Sequence, residues 1–135
     1  MILFEILSFK FSVCALGESQ TDCELRSFFS GLESNLKKDG RRMLQLLNRV
    51  AQRGTEDLNL DICHKIEEKI YQFRQGKIRV LWFYDENKII ICTNGFVKQK
   101  QRTPKNEKDR AKSMMKRYLD EKRSGPLRKI PWEEV

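Results

Sequence analysis

Hydrophobic and polar residues alternate along the start of the chain. Over residues 2–13 one face carries Leu3, Leu7, Phe9, Phe11 and Val13, and Ser8, Lys10 and Ser12 oppose them at the far end. A period of two is typical of a strand that buries one face. We therefore predict a single long strand over these residues.

The pattern becomes helical after residue 20. Thr21 to Glu24 have the sequence of a capping box, which predicts the start of a helix. Apolar residues then recur at helical spacing, first at Leu25, Phe28, Phe29, Leu32 and Leu36 and then at Met43, Leu46, Leu47 and Val50. The first helix should end between residues 35 and 40, and Gly54 should end the second. Two helices joined so closely predict an antiparallel helical hairpin.

Three strand-like segments follow, namely KIYQFR (69–74), KIRVLWFY (77–84) and KIIICTNGFV (88–97). A short polar turn joins the last two, which predicts an antiparallel pair. The middle segment is apolar on both faces, so we expect the helical hairpin to cover one of them. Thr103 and Pro104 then predict the N-cap and first turn of a helix that runs to about Arg123. The predicted fold is α+β, with an antiparallel sheet of about four strands, an N-terminal helical hairpin and a C-terminal helix.

The length and charge of the chain add two expectations. With 135 residues and 39% apolar content, the chain should form one domain, over residues 1–123, and residues 124–135 should form a C-terminal tail. The net charge is +8, and residues 98–123 alone hold eleven Lys and Arg against four acidic residues. Positive charge concentrated in one segment indicates a polyanion or an acidic protein as partner, although a solvated helix face is the simpler alternative.

The N-terminal segment and the cysteines bear on the compartment. The first sixteen residues are apolar, but they lack a basic n-region and are interrupted by Glu5 and Lys10. This is not the pattern of a signal peptide, so we expect a cytoplasmic protein that does not bind a membrane. The four cysteines, Cys14, Cys23, Cys63 and Cys92, should then be reduced. Their spacing does not suit a zinc site, so we predict no metal and no cofactor.

The second half of the chain resembles a known family. A strand ending in Arg74, the aromatic-rich strand RVLWFY and the run GFVKQKQRTP before a Lys-rich helix stand in this order over residues 66–119. This series resembles toxins of the bacterial RelE/ParE superfamily, in particular the HigB-like branch that is grouped with phage-derived Gp49-like proteins. The long N-terminal strand and the tail depart from that pattern. The resemblance implies a small RelE-like fold.

The same resemblance implies a function. Toxins of this branch belong to type II toxin–antitoxin systems and are endoribonucleases that cleave messenger RNA on the ribosome, with the RNA 2′-hydroxyl as nucleophile. They need no metal ion. Their usual partner is an antitoxin encoded beside them, often with a helix-turn-helix DNA-binding domain. The resemblance thus implies a bacterial or prophage-encoded protein whose partners are its antitoxin and messenger RNA, and no small-molecule ligand.

The residues themselves indicate where a phosphate would bind. Arg74 and Arg79 lie on neighbouring predicted strands, and Lys98, Lys100 and Arg102 follow the third. Guanidinium groups that converge at one edge of a sheet can bind a phosphate bidentately and stabilise the charge that develops in transesterification. By position, the two arginines match the family's strand cations, and residues 98–102 match its basic run.

These matches give predicted roles. We predict that Arg74 and Arg79 contact the phosphate and that Lys98 or Lys100 supplies charge or a proton. The predicted RNA-binding residues are Arg102, Lys105, Lys108, Lys112 and Lys116. Tyr71, Tyr84 or Phe96 would stack on a base if exposed, although Tyr71, Phe73, Trp82 and Phe83 are better explained as core.

Histidine chemistry is restricted, and two other functions are alternatives. His64 is the only histidine, so a pair of histidines acting as acid and base is excluded, and we interpret His64 as a surface or capping residue. One alternative function is a toxin of the same fold that inhibits DNA gyrase, as the ParE branch does. The other is a nucleic-acid-binding module without enzymatic activity. The cations at the strand ends favour RNA cleavage.

Overall fold

The computed structural model describes residues 1–86 and 88–132. The elements within this part of the chain are strands β1 (Ile2–Ser8), β2 (Ser12–Ser19) and β3 (Asp22–Cys23), helices α1 (Glu24–Ser30) and α2 (Lys37–Arg53), strands β4 (Cys63–Glu67), β5 (Ile70–Gln75), β6 (Ile78–Asp85) and β7 (Ile89–Val97), helix α3 (Lys105–Lys122) and strand β8 (Arg128–Pro131). A short 3₁₀ helix, Ser34–Leu36, precedes α2. The α+β class is therefore confirmed, as are the three strands β5 to β7 and the C-terminal helix.

The sheet is larger than the predicted four strands. Its order is β4-β5-β6-β7-β2-β1-β8, and the two-residue strand β3 pairs with β2. The strands β4 to β7 form an antiparallel meander, but β2 pairs with β7 in parallel, and so does β1 with β8. The prediction of an all-antiparallel sheet was therefore wrong.

The N-terminal segment forms two strands and not one. The chain turns back at residues 9–11, so β1 and β2 pair antiparallel. Phe11 anchors this turn, because its backbone N–H donates to the Ala51 carbonyl at 2.8 Å and its ring lies against Gly54 of the α2 terminus. Phe9 at the tip is 60% exposed. The regular alternation of the segment concealed this turn, because it continues through the turn residues.

The predicted helical hairpin is absent from the described residues. Helix α1 has only seven residues, and Cys23 stands at its N-cap without a side-chain hydrogen bond, so the predicted capping box does not form. Helix α1 packs on β7 and β2, whereas α2 packs mainly on β5 and β1. Both helices lie on one face of the sheet, where Gly95 of β7 leaves room for the Phe28 ring of α1. Each helix therefore buries its apolar side mainly against strands.

The sheet buries both of its faces. On one face, α1 and α2 cover a cluster that includes Phe73, Val80 and Trp82. On the other, α3 covers a cluster that includes Leu81, Phe83 and Ile91. The strands β6 and β7 contribute alternate residues to the two clusters, which explains their nearly continuous apolar sequences.

Helix α3 is held to the sheet by an apolar contact and by a buried carboxylate. Ala111 and Tyr118 are its buried residues. At the end of β6, Asp85 accepts a hydrogen bond from the Tyr118 hydroxyl and pairs with Lys122 at 2.7 Å. Desolvation, followed by the Asp85 contact, raises the pKa of the Tyr118 hydroxyl well above its ordinary value. The C-terminal half of α3 is therefore fixed in position.

The predicted tail contributes a strand. Residues Arg128–Pro131 form β8 beside β1, and the Trp132 backbone N–H donates to the Glu5 carbonyl at 2.8 Å. The Trp132 ring meets Phe29 of α1 edge to face. No helix of the described residues is long and apolar enough to span a membrane.

One pair of substitutions tests how α3 is docked. Ala111→Asp places a carboxylate in a fully buried position, whereas Leu119→Asp changes a residue of the same helix that is 40% exposed. We expect Ala111→Asp to lower the free energy of unfolding by roughly 2 to 5 kcal/mol and Leu119→Asp to change it by less than about 1 kcal/mol. Urea denaturation measures both. Equal destabilisation by the two variants would contradict the packing described for α3.

Candidate functional site

A cavity of about 440 Å³ opens on the face of the sheet that carries α3. Helix α3 covers β7 and parts of β6 and β5, but it does not cover the part of this face that carries Arg74 and Arg79. The lining residues are His64, Lys65, Ile66, Gln72, Arg74, Arg79, Lys98, Gln101, Arg102, Thr103 and Lys108. They come from β4, β5, β6, the link between β7 and α3, and the first turn of α3. We call this cavity the basic pocket, because it is lined by six Lys and Arg residues and by no acidic residue among the described residues.

Arg74 and Arg79 form the centre of the basic pocket. They are directly opposite each other on β5 and β6, so the two positive side chains share one face of the sheet. Arg74 is exposed, whereas Arg79 is only 5% exposed. Burial, and then the charge of Arg74, hold the pKa of Arg79 below its ordinary value. Like charges at paired positions disfavour each other, so an anion bound between them would relieve this repulsion.

The turn between β5 and β6 fixes the position of Arg79. Its guanidinium donates to the carbonyl oxygens of Gly76 at 2.7 Å and Ile78 at 3.1 Å. From the other side, the Asp39 carboxylate of α2 accepts a hydrogen bond from the Lys77 backbone N–H at 3.0 Å. Gly76 has a φ of +56°, and any Cβ there would collide with that carboxylate. Arg79 is therefore a buried residue that the turn holds in position.

His64 lies in the basic pocket, although the sequence did not predict it there. It lies on β4 opposite Gln72 of β5, and Arg74 is two residues further along β5 than Gln72. Its Nδ1 lies 3.1 Å from the Leu60 carbonyl oxygen. A carbonyl oxygen can only accept, so Nδ1 carries the proton and the Nε2 of the neutral ring keeps a lone pair. The histidine thus has the tautomer of a general base.

The position of His64 in the basic pocket depends on strand β4. The segment Cys63–Glu67 is short, half-buried and polar, and its sequence did not predict a strand. Its pairing with β5 sets the register that brings His64 beside Gln72 and Arg74. Its only apolar residues are Cys63 and Ile66, which are too few to give the alternation that indicates a strand.

Two side-chain contacts hold the link between β7 and α3. The Thr103 hydroxyl donates to the Gln72 side chain at 2.8 Å, and the Asn94 amide of β7 donates to the Glu107 carboxylate at 2.9 Å. Thr103 is therefore not the predicted N-cap, a position that Pro104 occupies without a capping side chain. The link places Lys98 and Arg102 in the lining of the basic pocket, whereas Lys100 is exposed outside it.

The predicted RNA-binding lysines of α3 divide into two groups. Lys108 lines the basic pocket and lies 3.6 Å from Glu67. The other three are in ion pairs away from it: Lys105 with Asp109 at 2.8 Å, Lys112 with Glu67 at 2.9 Å, and Lys116 with Asp120 at 3.2 Å. The Lys112 and Lys108 ammonium groups lower the pKa of Glu67. These pairs are largely exposed, so each is weak and can be exchanged for a phosphate.

The predicted aromatic platforms lie elsewhere. Phe96 is buried, Tyr71 stacks on Trp82, and the Tyr84 hydroxyl bonds to Thr55 at 2.7 Å. None of these rings lines the basic pocket. Among the described residues, no group of three or more His, Cys, Asp and Glu side chains is placed to hold a metal ion.

The arrangement is suited to binding one phosphate group of a longer polyanion. The paired guanidinium groups can donate to two phosphate oxygens, as bidentate contacts require. Lys98, Arg102 and Lys108 surround them, and the Nε2 of His64 can accept a proton at the edge of the same cavity. A basic pocket that is open on one side, and that contains a histidine, can bind a phosphodiester and activate a hydroxyl next to it.

Comparison with known proteins gives one family. No curated protein matches the chain significantly. The sequence profile described as phage derived protein Gp49-like (DUF891) matches residues 27–116. The matched range runs from α1 to the third turn of α3 and includes all the residues that line the basic pocket. This family is associated with the toxins of toxin–antitoxin systems. The chain therefore belongs to the phage-derived Gp49-like family.

Proposed function

We propose that the chain is the toxin of a type II toxin–antitoxin system and that it cleaves messenger RNA in the basic pocket as a metal-independent endoribonuclease. The observation that carries this proposal is the Arg74–Arg79 pair in the same cavity as His64, whose Nδ1 lies 3.1 Å from the Leu60 carbonyl oxygen, without an acidic residue among the described lining of that cavity. Membership in the Gp49-like family supports the assignment of the chain as a toxin. The RelE/ParE superfamily and its HigB-like branch are the more specific assignment that we propose.

The reaction is a transesterification. His64 Nε2 takes the proton of a ribose 2′-hydroxyl, and the 2′-oxygen forms a bond to the neighbouring phosphorus. The bond from phosphorus to the 5′-oxygen breaks, and Lys98 gives a proton to that oxygen. The products are a 2′,3′-cyclic phosphate and a 5′-hydroxyl end. Arg79 and Arg74 stabilise the negative charge that develops on the phosphoryl oxygens.

The lining of the basic pocket favours a substrate presented by the ribosome. Its cations bind the phosphate backbone, but its described lining has no aromatic side chain other than the His64 ring on which a base could stack. A site of this kind holds a single RNA strand weakly and with little preference for sequence. The ribosome holds messenger RNA extended and single-stranded, which supplies the orientation that the pocket does not. The site of action would then be the bacterial cytoplasm.

A toxin needs an antitoxin, and the charge of the pocket indicates how one acts. We propose that the antitoxin, encoded beside the toxin and carrying a helix-turn-helix DNA-binding domain, inserts an acidic segment into the basic pocket. Carboxylates there would pair with Arg74 and Arg102, both of which lack an ionic partner among the described residues. The same contacts would exclude RNA.

Cleavage of messenger RNA, with and without ribosomes, tests the function. We expect Arg79→Lys to lower cleavage about a hundredfold or more, because lysine keeps the charge but does not offer the planar pair of donors. Arg74→Gln should cause a smaller decrease, since Arg74 is exposed. Arg53→Gln, which changes an exposed arginine at the end of α2, is the control. If the purified protein inhibits DNA supercoiling and leaves RNA intact, the proposal is wrong.

Substitution of the histidine tests its role as base. Asparagine at position 64 can still donate to the Leu60 carbonyl but cannot take a proton, so the fold should persist. We expect His64→Asn to lower the turnover rate about a hundredfold or more without weakening RNA binding. An unchanged turnover rate would remove His64 from the mechanism.

The position of the α3 lysines gives another prediction. Replacing Lys108, Lys112 and Lys116 together by glutamine should weaken RNA binding and reduce its salt dependence. Most of the effect should already appear in Lys108→Gln, because only Lys108 of the three lines the basic pocket. The slope of log affinity against log salt should become shallower by about 0.7 for each phosphate that is no longer neutralised. Lys116→Gln serves as the control. If Lys116→Gln weakened RNA binding as much as Lys108→Gln does, the distinction between Lys108 and the lysines outside the pocket would be wrong.

A further inference from the structure

Helix α2 carries a second group of cations, on the opposite side of the sheet from the basic pocket. Its N-terminal half holds Lys37, Lys38, Arg41 and Arg42, all of them exposed. None of the four forms an ion pair within residues 1–86 and 88–132. This distinguishes them from the cations of α3, nearly all of which pair with a carboxylate.

The single acidic residue of α2 does not neutralise this group. Asp39 is only partly exposed, and its carboxylate accepts a hydrogen bond from the backbone N–H of Lys77 in the β5–β6 turn. It also lies so close to Gly76 that a side chain there would collide with it. Asp39 therefore faces the sheet, while the cations on either side of it face solvent.

The β5–β6 turn connects the two groups of cations. The Lys77 backbone N–H donates a hydrogen bond to the Asp39 carboxylate of α2. The Lys77 carbonyl oxygen accepts a hydrogen bond of 2.7 Å from the Lys98 backbone N–H. Lys77 thus lies between the start of α2 and the rim of the basic pocket, and its own side chain is exposed. These backbone contacts place Lys77 between the pocket cations Arg74, Arg79 and Lys98 and the helix cations Lys38, Arg41 and Arg42. We call this set of cations the turn band.

We propose that the turn band binds the single-stranded RNA that flanks the phosphate held in the basic pocket. This inference rests on the proposed function and extends the substrate site beyond the pocket. The band bends around the end of a hairpin, from one face of the sheet to the helix on the other. A flexible single strand can follow such a path, whereas a stiff duplex cannot.

The chemistry of the turn band favours contacts with phosphates. The exposed side chains of α2 between residues 37 and 53 are lysine, arginine and glutamine, with no aromatic ring. Cations without aromatic rings bind the backbone and release counterions, so the band should add affinity and salt dependence and no base preference. An acidic protein segment is the rival occupant, but only RNA has its reacting phosphate at the other end of the band.

Binding of RNA oligonucleotides of two lengths tests the turn band. The probes are 2′-O-methyl RNAs, which cannot be cleaved by attack of the 2′-oxygen. Their lengths are about four and about sixteen nucleotides, the two ends of the range that single-strand binding sites typically cover. The test variant is Lys38→Gln/Arg41→Gln/Arg42→Gln. The control variant is Lys10→Gln/Arg49→Gln/Arg53→Gln, which removes the same charge from exposed positions at the other end of α2 and the adjoining β1–β2 turn. Glutamine keeps the helix propensity of the replaced residues.

We expect the test variant to bind the long RNA about tenfold more weakly at low salt, with a salt slope shallower by up to about 2 for three phosphates that are no longer neutralised. Its affinity for the short RNA should be unchanged, and the control variant should bind both RNAs like the wild type. Equal weakening in the two variants would show an effect of net charge and overturn the turn band. So would a test variant that binds the long RNA normally.

The two proposals fail in different ways. A wild-type protein that binds the short RNA, and whose affinity does not rise with length, contradicts the turn band and leaves the basic pocket as the RNA site. A wild-type protein that binds neither RNA contradicts the proposed function, and the turn band with it. Circular dichroism and thermal melting of each variant establish that the fold is retained.

Discussion

The central strands of the sheet are apolar on both faces, and this constraint determines the rest of the architecture. Strands β6 and β7 can be buried only if helices cover them on each side. Helices α1 and α2 cover one face. Helix α3, which is held by Ala111 and by the Asp85–Tyr118 contact, covers only part of the other. The uncovered part of that face begins where the apolar residues give way to Gln72, Arg74 and Arg79, so the site is located where the core ends.

The part of the fold with local sequence signals could be predicted. Strands β5, β6 and β7 have strong patterns, and the two-residue turn at Gly76 and Lys77 fixes the register that sets Arg74 opposite Arg79. The sequence could not reveal the parallel pairing of β2 with β7 or of β1 with β8, because each joins segments far apart in the chain. It also concealed β4, a short polar edge strand, and with it the position of His64.

Charge counted along the sequence differed from charge available on the surface. The segment 98–123 has the largest surplus, but its helix meets acids from distant segments: Arg110 pairs with Glu24 and Arg117 with Glu18. The cations that lack such partners among the described residues include those in the link after β7, on β5 and β6 and at the start of α2. A segmental count ignores which acids the fold brings alongside, and only the tertiary structure supplies that information.

The parallel pairing of β2 with β7 has a consequence for how the protein is made. Ser12 of β2 pairs with Ile89 of β7, so the centre of the sheet closes only after most of the chain has been synthesised. Proteins rich in such distant contacts fold slowly, because a long loop must be ordered before its ends can pair. Residues of the pocket extend to Lys108, which is later still in the chain. A chain synthesised only as far as β6 thus has neither the partner strand of β2 nor the link and first turn of α3 that complete the lining of the pocket, so the pocket cannot assemble before these late segments are made.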